Sequence, residues 1–288
     1  MRPAHTTRHL AEIHIAVLLF GLAGLFGKWI ALPSTIIVLG RVFFASFTLA
    51  FVLQLAGHSF RLARRPDYLY LSLLGILLAL HWVTFFESIK VSTVAVGLLA
   101  YSTFPIFTVL LEPWFFREKF HGQSLVLAGI TLMGVALIIP EWQLANDVTQ
   151  GVLWGALSGA SFALLSILNR RYVRSYSSLQ IAFYQDLVAM LVLLPFLWWE
   201  RPTIGMADWG LLVLLGVVFT AISHTLFING LKSVPARTAS IIASLEPVYG
   251  IIAAAFLLGE IPGWRVLLGG MAILSAAAVV TFIRPQAK

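Results

Sequence analysis

The sequence predicts an all-α polytopic membrane protein, with ten transmembrane helices arranged as two inverted five-helix repeats around a central cavity. Composition, segment length and an internal repeat carry that prediction. Of 288 residues, 60% are hydrophobic and only 11% charged, against about 25% charged in soluble domains. Mean hydropathy is +0.93. Ten spans of ~20 residues use ~200 residues and leave about 88 for connections and tails, which excludes a sizeable soluble catalytic domain. There are no cysteines, so disulfides, thiolate metal sites and cysteine nucleophiles are excluded.

Apolar runs separated by short polar or Pro/Gly-containing breaks fall near 12–32, 36–56, 68–87, 93–115, 123–140, 151–170, 179–199, 210–231, 237–258 and 264–284. Each is long enough to cross ~30 Å of hydrocarbon as a helix. The ~10-residue alternating segments of a β-barrel are absent. The start, MRPAHTTRHLA, leads into a long span without a small-residue cleavage site, so it reads as a retained first helix. The breaks 32–36 and 87–93 are short enough to make their flanking helices antiparallel neighbours.

Charge sets the expected orientation. With the N-terminus cytoplasmic, that side receives Arg2, Arg8, Arg61, Arg64, Arg65, Arg117, Lys119, Arg170, Arg171, Arg174, Lys232, Arg237, Arg284 and Lys288. The other side receives Lys28, Arg41, Lys90, Arg201 and Arg265. Basic residues gather on cytoplasmic loops, so both termini are expected inside, as an even number of spans requires. The same bias explains the net charge of +7 without nucleic acid.

The second half repeats the first. An offset of 142 places Lys90 on Lys232, Pro105 on Pro247 and Glu118 on Glu260; an offset of 141 places Asp67 on Asp208 and Gly75 on Gly216. The expected division is 1–140 for the first repeat, 141–150 for a periplasmic linker and 151–288 for the second. Five helices is an odd number, so the copies insert with opposite orientations. Inverted repeats of this kind mark secondary transporters whose site lies at the repeat interface near the midplane.

The paired segments Lys90–Ala95, Thr103–Pro105 and Arg117–Glu118, with Lys232–Ala236, Ser244–Val248 and Gly259–Glu260, resemble the EamA branch of the drug/metabolite transporter superfamily. The second copy fits that pattern better, since the first has Phe104 where a Glu might sit and Arg117 in place of Gly259. Within that branch, length and aromatic content look most like the YddG-type amino-acid exporters. The resemblance implies a secondary transporter that exports amino acids, aromatic or bulky ones with broad specificity, across a bacterial inner membrane by alternating access. Export or import of other small metabolites or drugs, including nucleotide-sugar-like substrates, is the alternative.

Ionisable groups within spans are costly and default to functional candidates. Glu246, roughly 13 Å into the ninth span, reads either as a structural carboxylate beside Pro247 or as a coupling group. Asp186 in the seventh span carries the same two readings. Arg41 reads as a snorkelling cation, a ligand for a substrate carboxylate or a partner of Glu87; Lys28 reads as a snorkelling cation. His81 and His224 lie in the third helices of the two repeats, where imidazole can donate, accept or titrate. Trp82, Phe85, Tyr101, Trp154 and Phe162 lie within spans and suit an apolar cavity with polar tips. Ser158 and Ser161 with Gly155 and Gly159 form a small-residue face, suited to close packing or to a ligand. Ser244 joins the substrate candidates. Pro105 and Pro247 occupy equivalent positions and read as paired hinges. Trp29, Trp114, Trp142, Trp198, Trp199, Trp209 and Trp264 lie at span ends, as an interfacial belt requires.

No third ligand accompanies the histidines, so neither metal nor cofactor is expected. Motifs of intramembrane hydrolases and of ATP binding are absent, and a channel favours oligomeric rings over internal symmetry. The expected partners are a small-molecule substrate and the lipid bilayer, with no nucleic acid, and an internal pseudo-dimer can work as a monomer.

Overall fold

The computed structural model describes residues 3–116, 122–140, 143–169, 175–230, 233–234, 242–243 and 245–282. Among the described residues the secondary structure is entirely helical. The first span combines α1 (Pro3–Ala23) with the single turn α2 (Phe26–Trp29). The second and third are α3 (Ser34–Leu55) and α4 (Arg65–Val91). α5 (Val94–Tyr101) and α6 (Phe104–Phe116) share the fourth, and α7 (Gly122–Ile138) is the fifth. The sixth is α8 (Asp147–Asn169), and the seventh joins α9 (Ser178–Leu193) to α10 (Pro195–Glu200). The eighth runs through α11 (Met206–Gly216), a π-helical stretch Val217–Ile222 and α12 (Ser223–Gly230). α13 (Glu246–Leu257) and α14 (Trp264–Phe282) belong to the ninth and tenth. Six of these segments are long and apolar enough to cross a membrane and four more are shorter apolar helices, which together correspond to the ten predicted runs.

Several boundaries differ from expectation for local reasons. α4 continues to Val91 because nothing in ESIKV breaks a helix, and the connection to α5 is only Ser92–Thr93. Thr93 caps α5 through its side chain, which accepts from Val96 N–H at 3.1 Å, satisfying one of the free donors of a helix start. Pro105 and Pro247 each occupy the second position of a half-helix, α6 and α13. There the missing N–H costs nothing. Pro105 therefore opens a second half-helix after α5 rather than bending a continuous helix, and Pro247 lies in the first turn of α13.

The packing has internal symmetry. The third span packs on the sixth and the eighth on the first; the second packs on the eighth and the seventh on the third; the fourth packs on the sixth and the ninth on the first. Each pair converts into the other when the two repeats exchange. The second and seventh, fourth and ninth, and fifth and tenth spans pack on their own counterparts. Glycines permit the closest crossings. A Cβ on Gly75 would lie 2.8 Å from the Gln185 carbonyl and 2.6 Å from Val188 Cβ. A Cβ on Gly216 would lie 2.7 Å from the Arg41 carbonyl and 2.6 Å from Phe44 Cβ. The two repeat-related glycines thus receive equivalent helices at equivalent places, equating Arg41 with Gln185.

The small-residue face of α8 packs as such a face should. Gly151, Gly155 and Gly159 have no room for a Cβ against Ser92, Ala100 and the Tyr101 carbonyl respectively. Trp29, Trp114, Trp198, Trp199, Trp209 and Trp264 are exposed near helix ends, consistent with an aromatic belt; Trp142 lies outside the described residues.

The two ends of the bundle are tied differently. At one end, Lys28 Nζ donates to the Ser92 carbonyl at 2.6 Å and lies 3.9 Å from Glu260, so it does not snorkel. Glu260 accepts from Val94 N–H at 2.8 Å, closing the start of α5. At the other end, Tyr176 donates to Asp67 and accepts from Ala63 N–H. Burial, then the Asp67 bond, push the Tyr176 hydroxyl above the ordinary tyrosine range. Tyr184 donates to the Phe60 carbonyl and Gln180 to the Ser59 carbonyl, each at 2.6 Å.

Candidate functional site

The deepest polar cluster forms where the second, third, seventh and eighth spans meet. Arg41 projects from α3 and is 2% exposed. Its guanidinium carbon sits 3.9 Å from the centroid of the Trp82 ring and 5.5 Å from that of Phe86, a cation–π arrangement whose strength grows with desolvation. Nε donates to Thr220 Oγ1 at 3.0 Å and Nη2 to the Phe219 carbonyl at 3.5 Å. Thr220 lies in the π-helical turn and itself donates to the Leu215 carbonyl, five residues back, at 2.8 Å. A π-bulge frees backbone carbonyls from the ordinary ladder, and such bulges concentrate at functional sites. Arg41 is therefore engaged by the eighth span rather than by Glu87, which accepts from Ser34 at 2.6 Å.

Two carboxylates share the guanidinium's field, Asp186 on α9 and Glu246 at the start of α13. Both are buried. Among the described residues, both Asp186 oxygens, Gln185 Oε1 and His224 Nδ1 lack a hydrogen-bond partner. Gln185 Nε2 donates to Asn169 at 2.7 Å. The ring of His224 meets Trp82 edge-on at 5.9 Å. Trp82 and His224 are separated by 142 in sequence, so repeat-related positions meet near the symmetry axis.

Against this charge set stands an aromatic wall. His81 lies 4.9 Å from Phe162, 5.3 Å from Tyr101 and 6.2 Å from Phe85 between ring centroids. Tyr101 stacks on Phe104 at 5.4 Å. His81 is fixed by α8: Nδ1 lies 2.8 Å from Ser158 Oγ and 3.2 Å from the Ser158 carbonyl, while Ser158 Oγ donates to the His81 carbonyl at 3.0 Å. A hydrogen on Nδ1 satisfies these contacts.

His81, Trp82, Phe85, Tyr101, Ser158, Phe162, His224, Arg41, Asp186 and Glu246 are thus gathered around adjoining polar and aromatic surfaces. Trp154 is not among them. It is 38% exposed and lines a separate cavity of about 370 Å³ with Ser34, Thr35, Glu87, Lys90 and Glu200. Val83 also lines this cavity, placing it beyond Trp82 toward the Lys28 end. Ser244 lies outside the described residues. Sequence reasoning missed Thr220 and Ser223, although Thr220, Ser223 and His224 at i, i+3, i+4 mark one polar face in an apolar span.

The profile of the EamA-like transporter family matches residues 11–139 and 149–282, one match to each half. The chain belongs to that family. It is similar to the uncharacterized transporter YxxF of Bacillus subtilis, with 26% identity covering 95% of this chain and 89% of the relative. It is also similar to an uncharacterized transporter of Archaeoglobus fulgidus, with 27% identity over 93% of this chain and 94% of that protein. A third relative, with 27% identity over 86% of this chain and 83% of its own length, is the S-adenosylmethionine uptake transporter of Rickettsia bellii. A solved crystal structure superposes with a TM-score of 0.67 over 98% of both chains at 19% identity, which bears on fold alone. This EamA protein is a polytopic membrane transporter, and the relatives' names are those of uncharacterized transporters and of an S-adenosylmethionine uptake transporter rather than of amino-acid exporters.

Proposed function

We propose that this EamA transporter is a secondary carrier of amino acids and amino-acid-like metabolites, exporting them across a bacterial inner membrane by alternating access. The observation that carries this reading is the buried set at Arg41. A guanidinium with two of its five N–H donors engaged among the described residues offers recognition of a substrate carboxylate. Asp186 and Glu246 offer acceptors for an ammonium group, and the wall of Trp82, Phe85, Tyr101 and Phe162 receives an apolar or planar side chain. A cationic donor, buried acceptors and an aromatic wall match the three parts of an amino acid.

S-adenosylmethionine, named for the rickettsial relative, is itself an amino-acid derivative with a cationic centre. It joins phenylalanine, tryptophan and methionine as a substrate to try, and uptake is the second reading of direction.

The Tyr176 end is assigned to the cytoplasm, following the arginine bias, and its clamp of Tyr176, Tyr184 and Gln180 on residues 59–67 is the inner gate. The half-helix starts at Pro105 and Pro247 are the hinges, since a break there lets each half swing without losing ladder hydrogen bonds. Alanine at both positions is expected to slow turnover more than it weakens binding. Unchanged turnover in the double variant counts against the hinge. The reading as a whole is tested by counterflow in proteoliposomes loaded with each unlabelled compound. Saturable accumulation of the labelled one supports it, and none with any amino acid or derivative removes this substrate class.

A further inference from the structure

Among the described residues the buried acidic and basic side chains are Glu12, Arg41, His81, Asp186, His224 and Glu246. Glu12 is accounted for at the edge of α1: Arg8 donates to it at 3.0 Å and Asn229 at 2.9 Å. The others surround Arg41. A guanidinium stays charged in proteins, so one fixed positive charge faces two carboxyl groups, and both ionised together leave one negative charge unbalanced in a dry site. Such a charge is too costly to hold without a partner.

The two carboxyl groups are not equivalent. Glu246 is the first residue of α13, where free backbone N–H groups and the helix dipole favour an anion. Asp186 lies in the middle of α9, fully buried, with no hydrogen bond to either oxygen among the described residues. The adjacent Gln185 Oε1 is also an unpartnered acceptor. What this pocket lacks is a cation that brings hydrogen-bond donors. The ionisable groups on the elements packed against α9 are Arg41 of α3, His81 of α4 and His224 of α12, with Arg65, Asp67, Tyr68, Tyr70, Glu87 and Lys90 toward the two ends of α4, Glu200 on α10 and Tyr184 on α9 itself.

We propose that Asp186 holds an exchangeable proton, and that the substrate's ammonium group displaces it when the substrate carries a net single positive charge. The Asp186 O–H bond breaks, the proton leaves to water, and the substrate N–H groups donate to the carboxylate that remains. Transport of such a monocation is then a one-for-one, electroneutral exchange for a proton, and an inward proton gradient drives export. A zwitterion brings its own carboxylate and leaves the proton in place. The inference rests on the reading of this cluster as the substrate site, and it narrows the preferred substrates to amino-acid-like monocations.

Isotope-edited infrared spectroscopy of the full chain in lipid bilayers at neutral pH tests the proton without needing a substrate. One protonated carboxylic acid band is expected, moved by carboxyl-labelled aspartate and not by labelled glutamate, and lost in Asp186→Asn. Arg41→Gln doubles it, since both carboxyls then need protons. No such band, as when His224 carries the balancing charge, or a band that moves only with labelled glutamate, overturns the proposal. The labelling is done on the natural sequence, so it decides even if a variant fails to fold.

Lysine and S-adenosylmethionine then serve as monocationic probes and methionine as the zwitterion. The monocations are expected to abolish the band, release one proton per molecule bound, and move in counterflow at a rate insensitive to membrane potential. A monocationic probe that is transported while the band persists, or methionine that abolishes it, refutes the exchange. A band assigned to Asp186 with no transport of any probe upholds the proton site and refutes the substrate reading.

Discussion

Gly216→Ala is the perturbation for which the structure gives a worked magnitude. The new Cβ would stand 2.7 Å from the Arg41 carbonyl and 2.6 Å from Phe44 Cβ, where ordinary contact begins at 3.4 Å. The obstructing atoms belong to or adjoin the α3 backbone and cannot rotate away. Separation of α11 from α3 by about 0.8 Å, the difference between 3.4 and 2.6 Å, is therefore required. Overpacking of this kind costs about 1–3 kcal/mol. If the shift passes to the π-helical turn, the Arg41–Thr220 bond lengthens from 3.0 Å to about 3.8 Å, outside hydrogen-bonding range.

Denaturation of the purified protein in mixed micelles is expected to show that loss, with half-saturation in counterflow raised. Gly75→Ala at the repeat-related crossing should lose a similar amount, through the Gln185 carbonyl. Gly210→Ala is the control on the same helix as Gly216: nothing lies within 4 Å of its Cβ position, and alanine raises helix propensity by up to about 1 kcal/mol. Equal stability of Gly216→Ala and Gly210→Ala refutes the close-crossing account.

Other expectations follow from single contacts. Ser158→Ala removes the hydroxyl shared with His81, at a cost of about 1–3 kcal/mol. Ser161→Ala, whose hydroxyl among the described residues back-bonds only Leu157 and Ser158 within its own helix, should cost much less in the same denaturation assay. Glu260→Ala leaves the Thr93 cap but removes the acceptor of Val94 N–H at the start of α5 and the contact with Lys28, for a loss of about 0.5–2 kcal/mol. For Tyr176→Phe the effect depends on pH. The hydroxyl titrates above the ordinary value of 10.0 in the folded chain, so its stabilisation is fully present below 10.0 and is lost as pH rises through the folded value. The stability difference between the natural protein and the variant should be flat through neutrality and vanish in strong alkali; a difference that grows with pH contradicts the Tyr176–Asp67 contact.

The spans, their number and the repeat were legible because each rests on composition or fixed offset, which no tertiary contact can hide. The aromatic cluster was half legible. Trp82 and Phe85 at i, i+3 and His81 beside them fixed one helix face, but Phe104 entered only through a break at Ser102–Thr103, where Pro105 reads in one dimension as a bend in a continuous helix and in the structure begins a new one. Trp154 shared the profile of the cluster residues, and only three-dimensional packing separates it from them. The binding of Arg41 by Thr220 was not legible, since a π-helical turn arises from how the eighth span crosses the second. Pairing with Glu87 was equally good chemistry in one dimension; Ser34 takes that carboxylate instead.

The account stands on Arg41 as the centre of the transport site. Counterflow of labelled phenylalanine, methionine, lysine and S-adenosylmethionine, compared between the natural protein and Arg41→Gln with Gly210→Ala as control, tests this most directly. The account predicts saturable accumulation in the natural protein and the control, and its loss in a folded Arg41→Gln. Counterflow through Arg41→Gln with unchanged half-saturation would contradict it.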